Sequence, residues 1–279
     1  MPTLHHEERG EGMPLVLVHG FPFDSAIWRA QLEDLSGDAR VIALDLPGFG
    51  GSGPLPGDEA SIDGYADAIA RWAGEVGLVK LTLAGHSMGG YVVLAFARRY
   101  AGMLAGLGLV CTRPGPDSEQ ARQGRYTMIE NVQKQGPQAV VDAMLPRLLS
   151  PRTREQRPEV EEQTREVMLR QSSAGIIAAL QAMASRPDSS PYLAQIRVPT
   201  AVIGGADDAI IAATDEDLMA ATIPGATQVR IQGAGHMPML EQPQRLSDAL
   251  RNLVRGSTTL PPIPGPADPH NIEGIRRHD

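Results

Sequence analysis

Leu83-Ala84-Gly85-His86-Ser87-Met88-Gly89-Gly90 is the stretch that decides how this chain folds. It is a G-x-S-x-G placed between a short apolar run, Leu81-Thr82-Leu83-Ala84, which reads as a buried strand, and the segment Met88 to Tyr100, which is apolar nearly all round and reads as a buried helix. A serine on so sharp a strand-to-helix turn projects its hydroxyl above the sheet. The small residues two before and two after let the backbone approach its neighbours without Cβ collisions. Ser87 is therefore the candidate nucleophile. No Gly-Lys-Ser/Thr follows, which disfavours a phosphate loop.

Working outward, further short apolar runs alternate with helical segments. Leu15 to Val18, Val41 to Leu44, Leu107 to Val110, Ala201 to Ile203 and Gln228 to Ile231 read as strands, and Ser61 to Glu75, Thr214 to Ala221 and Gln242 to Val254 as helices. Continuous apolar strands separated by helices predict an α/β fold with a mostly parallel sheet covered on both faces. The opening segment around Thr3 to Glu8, followed by Gly10-Glu11-Gly12, reads as an antiparallel edge hairpin. Between Cys111 and Thr200 the character changes to a stretch rich in Arg, Gln, Glu and Ala and punctuated by proline. Helices near Glu119–Gln135, Pro137–Leu149, Pro158–Gln171 and Ser173–Ser185 are expected there, with prolines at their starts or between them. The expected organisation is a core of residues 1–112 and 192–255, a helical cap of 113–191 and a proline-rich extended tail of 256–279.

Serine is a poor nucleophile until a base takes its proton, so the chemistry demands a histidine near the carboxyl edge of the same sheet. Of seven histidines, His5 and His6 lie in the edge segment, His270 and His278 in the tail, and His19 and His86 at strand ends or turns. His236 stands apart, in the loop Gly233-Ala234-Gly235-His236-Met237-Pro238 after the last predicted strand. A carboxylate must fix its tautomer, and the turn after Ala201–Ile203 offers Asp207 and Asp208, with Asp117 a lesser alternative. Two N–H groups are expected to stabilise a substrate oxyanion, that of Met88 at a helix start and that of Phe21 in His19-Gly20-Phe21-Pro22; Pro22 has no N–H to give.

Together with Asp45-Leu46-Pro47-Gly48-Phe49-Gly50-Gly51-Ser52 and the Glu241-Gln242-Pro243 that follows the histidine loop, these motifs resemble the α/β-hydrolase superfamily, specifically its capped carboxylesterase, enol-lactonase and cofactor-free haloperoxidase-like members. The resemblance spans roughly Leu4 to Val254. It implies a twisted sheet of about eight strands with an inserted helical cap, the chain order Ser87, Asp208, His236, and Asp208 as the acid, because G-x-x-D after that strand is the family's usual arrangement. It also implies that Asp45 organises a turn. The activity it implies is hydrolysis of small soluble carboxylic esters through an acyl-enzyme, with no cofactor and no metal. Enol-lactone hydrolysis and perhydrolysis are alternatives within that class, and a ligand receptor or a lyase is the alternative outside it. Haloalkane dehalogenases and epoxide hydrolases of the fold use an aspartate where this chain has Ser87.

A formal charge of −8 over 279 residues argues against nucleic acid as a partner. No run of about 18–20 apolar residues predicts a membrane span, and the first eight residues lack the basic start and apolar stretch of an export signal. A single cysteine, Cys111, fits a reducing cytoplasm and reads as a small buried apolar residue. The expected partner is a small-molecule ester or lactone. Phe23, Trp28, Met128, Met144 and Met237, with Phe21 and Met239, are candidates for an apolar acyl pocket. Arg113, Arg122, Arg125, Arg147, Arg152, Arg154 and Arg157 offer a carboxylate clamp, against which the neighbouring Glu155, Glu159, Glu161 and Glu162 favour a solvated mixed-charge face.

Overall fold

The computed structural model describes residues 4–56 and 60–258. Among them seven strands form one sheet: β1 (His6–Arg9), β2 (Pro14–Val18), β3 (Arg40–Leu44), β4 (Leu81–His86), β5 (Leu104–Val110), β6 (Thr200–Gly205) and β7 (Thr227–Ile231), in spatial order β1-β3-β2-β4-β5-β6-β7. All neighbours are parallel except β1, which runs antiparallel to β3. The expected hairpin is thus corrected. β1 is an antiparallel edge strand, but β3 lies between it and β2. Its sequence, His-Glu-Glu-Arg, suits an edge, where charge blunts further strand pairing, and Glu8 accepts from Arg40 across the ladder at 2.7 and 3.0 Å. The central strands β2, β4 and β5 are apolar on both faces because helices cover both.

The helices joining these strands are α1 (Arg29–Asp34), α2 (Ile62–Glu75) and α3 (Met88–Arg99). Five more, α4 (Glu119–Gln135), α5 (Gln138–Leu148), α6 (Pro151–Gln156), α7 (Pro158–Leu169) and α8 (Ser173–Ala184), lie between β5 and β6, and α9 (Ala213–Thr222), α10 (Pro238–Glu241) and α11 (Pro243–Thr258) complete the set. Serine side chains cap several of them: Ser61, Ser118, Ser150 and Ser172 accept from the N–H three residues on. Pro151 and Pro158 sit at helix starts, where no N–H is needed. Pro146 departs from expectation by lying inside α5, where its missing N–H takes away the bond that the Asp142 carbonyl would otherwise accept. The short α6 has no counterpart among the helices expected from sequence. The last helix runs to Thr258, so the expected tail loses its first three residues to α11, and the rest of it lies outside the described residues.

Asp117 ties the two ends of the β5–β6 insertion together. Its fully buried carboxylate accepts from Arg113 at 2.8 Å, from Arg125, and from Arg186 at 2.7 Å, while the Ser189 N–H donates to the Pro114 carbonyl. Asp117 therefore serves the insertion's base and does not face His236. Parallel pairing puts the loops that follow β2, β4, β5, β6 and β7 at one edge of the sheet, and those loops carry Phe21, Ser87, Thr112, Asp208 and His236.

Candidate active site

Ser87 joins β4 to α3 with φ 52° and ψ −112°, a left-handed conformation that a residue bearing a side chain adopts only when its surroundings enforce it. They do so through glycine. A Cβ at Gly85 would lie 2.2 Å from the Gly89 carbonyl oxygen, and one at Gly89 would lie 2.5 Å from that of Val18. The Ser87 N–H donates to the Val110 carbonyl at 2.9 Å, and its own carbonyl accepts from the Thr112 hydroxyl at 2.8 Å. Thr112 was not singled out by sequence, where nothing distinguishes it from any threonine ending a strand.

His236 is buried, and its Nδ1 lies 2.8 Å from Asp208 Oδ2. A carboxylate only accepts, so Nδ1 is the donor of this bond, and Nε2 is the ring nitrogen it leaves unengaged. The other oxygen of Asp208 accepts from the Ile210 and Ile211 N–H groups at 2.7 and 3.0 Å. Burial alone would push this carboxyl up, but the charge and hydrogen bond of His236 and the two amides outweigh it and hold it below the usual aspartate range. Asp207 is exposed, and its N–H is spent on the Ala234 carbonyl.

The two histidines flanking this arrangement are neutral supports. His86 Nε2 donates to the His236 carbonyl at 2.7 Å, and the rings stand 4.8 Å apart between centroids. Burial, and next the neighbouring His236, hold its basicity well below the ordinary imidazole range. His19 donates from Nδ1 to the Gly20 carbonyl and accepts at Nε2 from the Leu46 N–H, which uses both nitrogens of the neutral ring; burial lowers its basicity too. A Cβ at Gly20 would meet His86 Nδ1 at 2.6 Å, so the loop carrying Phe21 packs directly on the serine turn. The Phe23 N–H closes that loop on the Gly20 carbonyl at 3.0 Å. Asp45 accepts from the Ser25 and Gly51 N–H groups and pairs with His5, pinning the adjacent loop.

The pocket candidates divide. Met128 and Met144 are partly exposed, whereas Phe23, Trp28 and Met237 have no accessible surface and pack in the hydrophobic core; the Phe23 and His86 ring centroids lie 6.5 Å apart. The sequence could not make that distinction, because size and apolarity suit core and pocket alike. Of the candidate clamp, Arg113 and Arg125 turn to Asp117, Arg122 to Glu119, Arg154 to Glu161, Arg152 to Gln156, and Arg147 and Arg157 to backbone carbonyls. Cys111, fully buried and with φ 45°, brings its thiol within 4.8 Å of the facing Asp208 and His236 atoms, and burial pushes that thiol well up. These three form a metal-type donor set, but two of its members already bond each other and the third holds its proton. A cavity of about 850 Å³ opens at the opposite edge of the sheet, beside Leu104, Val198 and Tyr192.

The sequence pattern of the alpha/beta hydrolase family matches residues 15–249. The chain belongs to that family. It is similar, at 43% identity over 92% of its length and 94% of the other's, to a thermophilic esterase from Thermogutta terrifontis solved with malate bound (TM-score 0.89). Over 89% of its length it is 26% identical to the AB hydrolase superfamily protein YisY of Bacillus subtilis, covering 94% of that protein. The enol-lactonase of Burkholderia xenovorans LB400, 24% identical over 91% of this chain and 97% of that one with a TM-score of 0.84, shares the fold. With the (E)-2-((N-methylformamido)methylene)succinate hydrolase of Acinetobacter baylyi the likeness is 40% over 90 residues, and it spans only about a third of either chain.

Proposed function

We propose that this hydrolase cleaves small carboxylic esters by acyl transfer through Ser87. The observation that carries the reading is the hydrogen bond between the buried side chains of His236 and Asp208, at the same sheet edge as the strained serine turn. His236 Nε2 takes the Ser87 proton as the hydroxyl attacks the ester carbonyl. Asp208 stabilises the imidazolium so formed, and the Phe21 and Met88 N–H groups hold the negative oxygen of the tetrahedral intermediate. His236 then protonates the leaving alcohol, and water, activated by the same base, releases the acid and regenerates Ser87. No step calls for a metal or cofactor.

The insertion 113–191 acts as a cap over this edge, with Met128 and Met144 as acyl-facing candidates. The 43% identity to an esterase supports ester chemistry, and the malate in that relative's structure supports a site that accepts a small organic acid. Among the described residues no helix is long and apolar enough to cross a membrane, and the single cysteine suits a cytoplasmic location.

The test is Ser87→Ala assayed on nitrophenyl acetate and butyrate. Turnover is expected to vanish while the thermal transition stays in place, and a variant that still turned over would refute the assignment. A panel varying acyl length and charge then ranks substrates. Product analysis separates hydrolysis from a lyase reaction, which consumes no water.

A further inference from the structure

Glu241 is buried, lies five residues past His236, and has no part in the chemistry above. One carboxylate oxygen, Oε1, accepts the N–H of Gly235 at 2.8 Å and that of Met237 at 3.3 Å, so the carboxylate brackets the histidine from both sides in sequence. The other, Oε2, accepts the Ser150 N–H at 2.8 Å, and Ser150 belongs to the turn between α5 and α6 of the insertion. The N–H left between the two bracketed amides, that of His236 itself, donates to the Leu148 carbonyl at 2.8 Å, again from the insertion. Three consecutive amides are thus fixed, two by one carboxylate and one by the segment that the same carboxylate holds. Approach is close enough that a Cβ at Gly235 would stand 2.7 Å from the Ser150 nitrogen. Arg157, also in the insertion, adds donors to the Leu240 and Glu241 carbonyls at 3.3 and 3.0 Å.

We infer that Glu241 is a positioning residue for His236, and that through it the insertion forms part of the frame holding the base as well as a cover over the site. The inference rests on the serine-hydrolase reading. A glutamine cannot substitute for this carboxylate. Its single oxygen serves either the Gly235–Met237 pair or Ser150, and its NH2 then faces an N–H donor at the other. Small displacements of a general base are expensive in rate, since a misplacement of about 1 Å can cost on the order of 100-fold.

The experiment measures Glu241→Gln and Glu241→Ala for kcat and KM on nitrophenyl acetate, together with the low-field proton resonance of the His236 Nδ1–H. For Glu241→Gln, kcat is expected to fall at least about tenfold with KM little changed, and the resonance to broaden or shift at temperatures well below unfolding. Because a charged core group is being removed, a second pair guards against misfolding. Ser150→Ala removes only the α6 cap hydroxyl and sets the baseline; Ser150→Pro also removes the N–H that reaches Glu241, at a residue whose φ of −60° proline can adopt. A lower kcat for the proline variant than for the alanine variant supports the coupling. Wild-type kcat and an unmoved resonance in Glu241→Gln, or identical behaviour of the two Ser150 variants, would overturn it. The resonance needs no turnover, so a failure of the serine assignment would be seen separately, in Ser87→Ala.

Discussion

Replacing Asp208 by asparagine tests the proposed base most directly. The carboxylate receives His236 Nδ1–H on one oxygen and the Ile210 and Ile211 N–H groups on the other. Asparagine has one oxygen. If it stays with the two backbone donors, the NH2 group faces Nδ1 and forces that nitrogen to accept, which moves the ring proton to Nε2. If it turns to Nδ1, the NH2 meets two N–H donors, leaving them unsatisfied at about 1–3 kcal/mol each. The first arrangement is the more stable, and it presents Ser87 with a nitrogen that already carries a proton. A tautomer lock of this kind lowers kcat by about 10⁴, equivalent to about 5.5 kcal/mol of barrier. The exposed Asp207 makes no comparable side-chain contact with His236, so Asp207→Asn is expected to keep kcat within about twofold, as surface substitutions usually leave energies within ±0.5 kcal/mol. Steady-state turnover of nitrophenyl butyrate, with thermal unfolding measured alongside, decides the matter. Loss of activity in Asp207→Asn with retention in Asp208→Asn would refute the reasoning.

Asp117→Asn removes the charge shared by Arg113, Arg125 and the buried Arg186 and puts an NH2 donor where one of the two acceptor oxygens stood, and breaking a buried pair typically costs about 3–5 kcal/mol, or roughly 6–20 °C in Tm for a chain of this size; a Tm within about 2 °C of wild type would mean the three guanidiniums find other partners. Burial pushes the Glu216 carboxyl up to about 7 against opposition from Arg230, with Asp208 and Asp217 adding to the rise. A raised folded value means that the stability associated with its proton is full at low pH and is lost as pH rises toward neutrality. Glu216→Gln should therefore raise Tm relative to wild type at about pH 8.5, with the gap closing by about pH 5, and the opposite ordering in differential scanning calorimetry would show the sign to be wrong.

Much of the fold was legible because its signals are local. Five of the strands, β2 to β6, are short apolar runs, and the serine turn carries glycines at the positions where a Cβ would strike backbone at 2.2 and 2.5 Å. The capping serines at 61, 118 and 172 likewise stand next to the helices they start. What the residues alone leave open is set by tertiary partners. β1 looks like half of a hairpin until β3 is found between it and β2. Asp207 and Asp208 are identical in type and adjacent in sequence; they separate only because the Asp207 N–H is drawn to Ala234 while the Asp208 side chain turns to His236. Glu241 carries no legible role within Glu241-Gln242-Pro243, since its donors come from residues 150, 235 and 237 and two distant segments must meet before the bracket exists.

A histidine bonded to an aspartate does not by itself mark a site in this molecule. His5 Nδ1 and Asp45 Oδ2 stand at 2.8 Å, the same separation as His236 and Asp208. The two pairs differ in what surrounds them. His5 is half-exposed, and Asp45 spends its oxygens on the Ser25 and Gly51 amides; a Cβ at Gly50 would overlap it at 2.1 Å. That carboxylate is the hub of a loop, and its histidine is one more peripheral donor. The side chains of His236 and Asp208 are both buried, and the carbonyl of His236 takes the Nε2 proton of His86, the residue immediately before Ser87. That bond ties the backbone of the proposed base to the side chain of the residue before the proposed nucleophile, across 150 residues of sequence. Burial, partner and the link to the serine turn together select His236. A His5→Gln variant should accordingly keep its turnover, and its loss would mean that the edge-strand pair, not only the buried one, participates in the reaction.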